Sequence, residues 1–224
     1  MSGRRALFFD AAGASSAEFA LVLPAVLLFL FGIIDVGRFA WSLNQVEKAT
    51  QIGARHAVVT DYVASGFNSA DFADACGGAL NVGDRIDCAD AFPPVTCDNS
   101  GCSCAGGDCG AVDAGAYDSA AFQAILQRMR RITPAIGADN LSVTYSPSGL
   151  GFYGDPACFG VQTSDGCEVD GAPADLSDVA PIVTVRVGAI PFRPLTFGLF
   201  EGSVAIPGRT YSLSMEDGYG TVAY

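Results

Sequence analysis

Glu18 is the first residue of this chain placed where its chemistry needs explaining. It stands at the mouth of the uncharged run Phe19 to Ile34. A lone carboxylate carried into a bilayer costs a few to several kcal/mol, roughly, so it is expected to have a partner and a role. A competing reading makes it an aqueous cap in the headgroup region, favoured by the dipole of the helix it opens. The second chemical group is sulfur. Cys76, Cys88, Cys97, Cys102, Cys104, Cys109, Cys158 and Cys167 all follow the apolar run. An even number of cysteines on one side of a membrane anchor points to an oxidising compartment and a disulfide framework.

The tightest group, Cys97-x4-Cys102-x-Cys104-x4-Cys109, admits a metal reading. Structural zinc favours paired Cys-x2-Cys units, and the only histidine, His56, lies far away in sequence. Disulfides are therefore expected and no metal is assigned. Four cysteines allow three pairings, and those stay open. Cys158 with Cys167 brackets a short Gly/Asp turn and is the first expected pair. Cys76 with Cys88 is the second.

Other spacings do less. Gly149-x-Gly151-x-x-Gly154 matches a dinucleotide fingerprint, but Asp155-Pro156 follows at once and no helical pattern opens there. A glycine loop is the better reading. The Asp-rich turns fit no helix–loop–helix calcium spacing. Asn140-Leu141-Ser142 fits a glycosylation sequon, and His56 has no catalytic partner in the sequence. No Ser/His/Asp set, paired-acid motif or phosphate loop stands out. The chain is expected not to be an enzyme and to need no cofactor.

Charge narrows the partners further. Asp and Glu number 24 against 12 Lys and Arg, for a formal charge of −12. Phosphate backbones would repel such a chain, so nucleic acid is not an expected partner.

These groups need elements to hold them. Phe19 to Ile34 spans roughly 24 Å as a helix, and with Ala14 to Ala17 it approaches the length of a membrane span. A cleaved secretory signal is the competitor, but Asp35-Val36-Gly37-Arg38-Phe39 is a poor cut site. Pro24 lies inside the span, where a mild kink is tolerated. Val36, Phe39, Leu43, Val46, Thr50 and Gly53 continue a 3–4 spacing, which predicts a helix to about Val59. Phe122, Ile125, Leu126, Met129 and Ile132 predict a second helix ending before Pro134. Leu141 to Tyr145, Ile182 to Ile190 and Arg209 to Met215 alternate as strands.

The expected fold class is α+β. A long N-terminal membrane-spanning helix continues into a stalk, and a small antiparallel sheet with a packed helix and a disulfide-rich loop region follows. The expected segments are a leader at 1–13, a transmembrane helix at 14–35, an amphipathic stalk at 36–59, a Cys/Gly/Asp-rich loop region at 60–118 and a head at 119–224.

The expected anchor and stalk resemble the TadE-like family of pilus-assembly proteins. A basic leader with Arg4 and Arg5 precedes Gly13, and Glu18, Phe19 and Pro24 follow in order. Gly32-Ile33-Ile34-Asp35-Val36-Gly37-Arg38 and Gly53-Ala54-Arg55 complete the match. The family positions are thus Phe19, Pro24, Asp35, Gly37, Arg38, Gly53 and Arg55. Asp35 stands where members often carry Glu, and Ala14 differs from the Phe of many major pilins.

The resemblance implies a pseudopilin or minor pilin of a tight-adherence (Flp-type) pilus. It implies cleavage between Gly13 and Ala14 by a prepilin peptidase, and pairing of Glu18 with the new Ala14 amine of its own or a neighbouring subunit. The implied partners are the inner membrane, other pilin-like subunits, the assembly machinery and the peptidase. The implied location is the bacterial inner membrane, single-pass, with the C-terminal part periplasmic and possible passage into the pilus. The alternative is an uncleaved, membrane-tethered binding or scaffold module of a secretion system.

Overall fold

The computed structural model describes residues 11–70, 72, 86, 92–149, 151, 161–163, 166–169, 172–173, 179–196 and 202–215. Its first element, α1, is one helix over Ala11–Ala57 with Pro24 inside it. No glycine or proline cluster interrupts the 3–4 spacing, so the helix continues beyond the apolar run. The chain divides into two compact units. One comprises Met1–Leu43 with Pro191–Ile206, and the other comprises Asn44–Ile190 with Pro207–Tyr224.

In the first unit, α1 turns its apolar side chains outward. Phe19, Leu21, Val22, Phe29, Ile33 and Val36 are all exposed. A contiguous apolar surface of this kind is a liability in water and an asset in lipid. The helix is long and apolar enough to cross a membrane, which suggests a membrane anchor. The unit also holds most of a short pair of strands, β8 (Ile190–Phe192) and β9 (Val204–Ile206).

The second unit is built on a five-stranded antiparallel sheet. Its strands are β1 (Val95–Asp98), β2 (Gly101–Cys104), β3 (Leu141–Ser146), β7 (Ile182–Val187) and β10 (Arg209–Ser214), in the order β10-β7-β3-β1-β2. Register places Leu141 opposite Val187, Val143 opposite Val185 and Tyr145 opposite Val183. Cys97 and Val95 extend this row opposite Val143 and Tyr145. All eight side chains are buried. The period-2 pattern thus sends this face of β1, β3 and β7 into the core. The other face is polar, with Thr96 and Thr144 hydroxyls 3.0 Å apart and Thr184 and Ser212 hydroxyls 2.8 Å apart. Separately, β4 (Val161–Thr163), β5 (Gly166–Val169) and β6 (Ala172–Pro173) form a three-stranded antiparallel sheet.

The second helix, α2 (Ser119–Arg130), buries Phe122, Ile125, Leu126 and Met129. Asp118 caps it, its carboxylate accepting from the amides of Ala120 at 2.7 Å and Ala121 at 3.1 Å. Those are two of the donors that a helix start leaves unpaired. An aromatic cluster closes the core. Phe67 lies 5.1 Å from Tyr62, 5.0 Å from Phe92 and 5.3 Å from Tyr145, centroid to centroid. Tyr145 is fully buried, and its hydroxyl accepts a 2.9 Å bond from the Val63 amide. Burial is the main reason its phenol is pushed far above the ordinary tyrosine range.

The α+β expectation stands, with differences in detail. The strand expected over Ile182 to Ile190 ends at Val187, and Ile190 opens β8 instead. The segment expected to be loop, 60–118, contributes β1 and β2 to the main sheet. Strands of four residues rich in Cys, Gly and Ser carry too little apolar alternation to be read from sequence.

Candidate anchoring and assembly site

Of the residues singled out near the N-terminus, Arg4 and Arg5 lie outside the described residues, and the others lie on α1 without forming one constellation. Gly13 and Ala14 are on α1, ahead of Glu18. Ala14 and Glu18 are four residues apart, so they share a helix face. Glu18 and Phe19 are exposed, as is Pro24. The run from 16 to 31 is exposed throughout.

Asp35 is different. It is only 6 % exposed, and its carboxylate is filled with donors from a segment 160 residues away. Oδ1 accepts from the Leu195 amide at 2.8 Å and Oδ2 from the Thr196 amide at 2.8 Å. The Thr196 hydroxyl donates to Oδ2 at 2.8 Å, and Arg38 Nη1 donates to Oδ1 at 3.1 Å. Arg38 also stands over the Phe192 ring, with its guanidinium carbon 5.4 Å from the centroid. Phe39 meets the same ring edge-on at 5.4 Å. Charge-assisted bonds to backbone amides are among the stronger polar contacts, and here they fasten the strand pair to the helix. Two family positions, Asp35 and Arg38, therefore serve one clamp. The three-residue spacing of Asp35 and Arg38 is a signal that could have found their ion pair on a helix. Leu195 and Thr196 gave no signal, because nothing local ties them to Asp35.

Gly37 and Gly53 also part company. A Cβ built on Gly37 meets nothing within 4 Å. A Cβ on Gly53 would lie 2.6 Å from the Met129 sulfur, so Gly53 lets α2 approach the second half of α1 closely. Arg55 is exposed on the last turn. Beside it His56 joins Ile52, Val59, Arg128, Arg131 and Ile132 around a shallow cleft. Its Nδ1 is buried and has no hydrogen-bond partner among the described residues. Burial first, and then the nearby Arg128 cation, hold its pKa below the ordinary histidine value.

The cysteine cluster forms two disulfides, Cys97–Cys102 and Cys104–Cys109. Cys97 and Cys102 are directly opposed in the β1–β2 ladder, with Cα atoms 4.0 Å apart. Antiparallel pairing puts the two cysteines opposite each other, where a disulfide can join them. The expected pairs Cys76–Cys88 and Cys158–Cys167 lie outside the described residues, apart from the Cys167 backbone in β5. In the rejected dinucleotide fingerprint, Gly149 has a φ of 70°, the conformation of a glycine turn.

No curated protein and no solved structure matches the chain. A family model does: residues 13–55 match the model described as TadE-like protein. That span holds the apolar run, both clamp residues on α1, and both Gly37 and Gly53. Over residues 13–55, then, this chain is similar to TadE-like proteins.

Proposed function

We propose that this protein is a membrane-anchored pseudopilin or minor pilin of a tight-adherence (Flp-type) pilus. The carrying observation is the match of residues 13–55 to the TadE-like model on a helix whose apolar side chains point outward. The work of such a chain is structural. The covalent step is done to it, when a prepilin peptidase hydrolyses the Gly13–Ala14 peptide and water supplies the new carboxyl and amine termini.

The geometry of α1 suits that step. The bond lies on α1, about one turn before Glu18. After the cut, the Ala14 amine would begin the helix with Glu18 one turn on. Helical side chains lean toward the N-terminus, so the Glu18 carboxylate reaches back toward an amine in its own or a neighbouring chain. The ion pair removes the cost of a lone acid among lipid. Two disulfides in the second unit favour an extracytoplasmic, periplasmic location for it. The inner membrane, pilin-like subunits, the assembly machinery and the peptidase are the partners of this reading.

Intact mass and N-terminal sequencing of the membrane-extracted protein test it, with and without the peptidase, beside a Gly13→Lys variant. The expected result is a start at Ala14 that requires the peptidase and vanishes in the variant. A leader retained under both conditions overturns processing and leaves the tethered scaffold module as the better account.

A further inference from the structure

We infer that the strand pair clamped by Asp35 is a second membrane-contacting element, whose tip at Leu195 docks at the headgroup boundary of the bilayer that holds α1. Asp35 is the first charged residue after the uncharged run Phe19 to Ile34. A helix that spans a membrane with that run puts its first following charge at the boundary between hydrocarbon and headgroups. The Leu195 and Thr196 amides are bonded to that carboxylate, each at 2.8 Å. Leu195 must then lie at the same depth as Asp35.

The side chains fit that surface. Pro191 to Leu195 alternate, with Phe192 and Pro194 turned in and Pro191, Arg193 and Leu195 turned out. The inward Phe192 is held by Phe39 and Arg38. The outward Leu195 is 52 % exposed and, held at Asp35, adds an apolar group at the end of the exposed apolar run of α1. On α1 the neighbouring Val36 and Trp41 are exposed as well, and Trp is a residue that favours the membrane interface. Arg193, and the part of Arg38 left exposed, offer cations to phospholipid phosphates while their stems cover apolar surface. The partner is thus the lipid surface itself, and the patch continues the exposed apolar band of α1.

The inference rests on membrane anchoring and is independent of peptidase processing. The test uses the full chain in phosphatidylethanolamine–phosphatidylglycerol vesicles, with single tryptophans read by brominated lipids. Trp41→Phe with Leu195→Trp reports the tip, and Trp41→Phe with Phe31→Trp reports the apolar band. We expect the tip tryptophan to be quenched most by bromines near the headgroup end of the chains, and the band tryptophan by deeper bromines. In the tip-reporting chain, adding Asp35→Asn, which can no longer serve two amides and a hydroxyl together, should cut tip quenching about threefold or more while leaving residue 31 unchanged.

A tip tryptophan open to aqueous acrylamide and untouched by brominated lipid overturns the inference, provided residue 31 is quenched. Loss of quenching at both positions overturns membrane anchoring itself. Undiminished tip quenching with Asp35→Asn removes the clamp from the account. Hydroxyl-radical footprinting of the unmodified chain in the same vesicles needs no substitution. Leu195 should be oxidised less than the exposed Ile182, and equal oxidation overturns the inference.

Discussion

The two halves of α1 are built from similar residues and do opposite things with them. In the first half, Leu21, Phe29 and Ile33 point outward, and just past it a Cβ on Gly37 would meet nothing within 4 Å among the described residues. In the second half, Val46, Ala49, Ala54 and Ala57 are buried, and Gly53 lies under Met129. One half is apolar around its circumference and needs a solvent that is apolar too. The other is apolar along a stripe and needs a folded partner. The difference shows that a single unbroken helix can serve two solvents, with the change marked by one buried carboxylate, Asp35.

The largest test breaks the first half. Leu27→Arg places a cation in the apolar run and should weaken insertion by about 2.5–3.5 kcal/mol, with the stability of the second unit untouched. A glycosylation-reporter insertion assay reads the first effect and chemical denaturation the second. Equal loss in both would erase the contrast between the halves.

The two glycines sharpen the contrast. Gly53→Leu should cost roughly 1–3 kcal/mol of head stability, because Met129 has no room to yield. Gly37→Ala should cost none and should stabilise the helix by up to about 1 kcal/mol. Denaturation of the two variants in the same detergent checks the pair. If Gly37→Ala instead blocks pilus formation while the monomer is stable, that open space belongs to a neighbouring subunit.

A local contact gives the next effect. Asp118→Ala removes the cap of α2 and should cost about 1 kcal/mol, again by denaturation. Asp118→Asn should lose much less.

The smallest effect is the pH dependence from His56. Its folded pKa lies below the ordinary 6.5, so the unfolded chain binds the proton more readily. Stability is therefore complete above about pH 6.5 and falls as pH drops through the folded value. His56→Gln should flatten that slope in denaturation profiles across this window. An unchanged slope would mean that other groups carry it.

Much of this was legible without a structure. The 3–4 spacing of Val46, Thr50 and Gly53 announced the stalk, and Phe122 to Met129 announced α2. The alternation of Val183, Val185 and Val187 announced a half-buried strand. The strands β1 and β2 were hidden by their brevity. The clamp was hidden because Asp35 reads as the polar end of a membrane span, and nothing local in the sequence ties Leu195 and Thr196 to it.

Sequence alone determined the elements whose cause is local: the outward apolar run, the stalk's period, the alternating strands, and the order of Gly13, Glu18, Pro24 and Arg38. Periodicity and solvent preference are properties of neighbours along the chain, so they can be read there. Tertiary structure decided the order β10-β7-β3-β1-β2, which cysteines of the cluster join, which glycine is crowded and what fills Asp35. Each of these depends on distance in space between residues far apart in sequence, a quantity that only the closed core fixes.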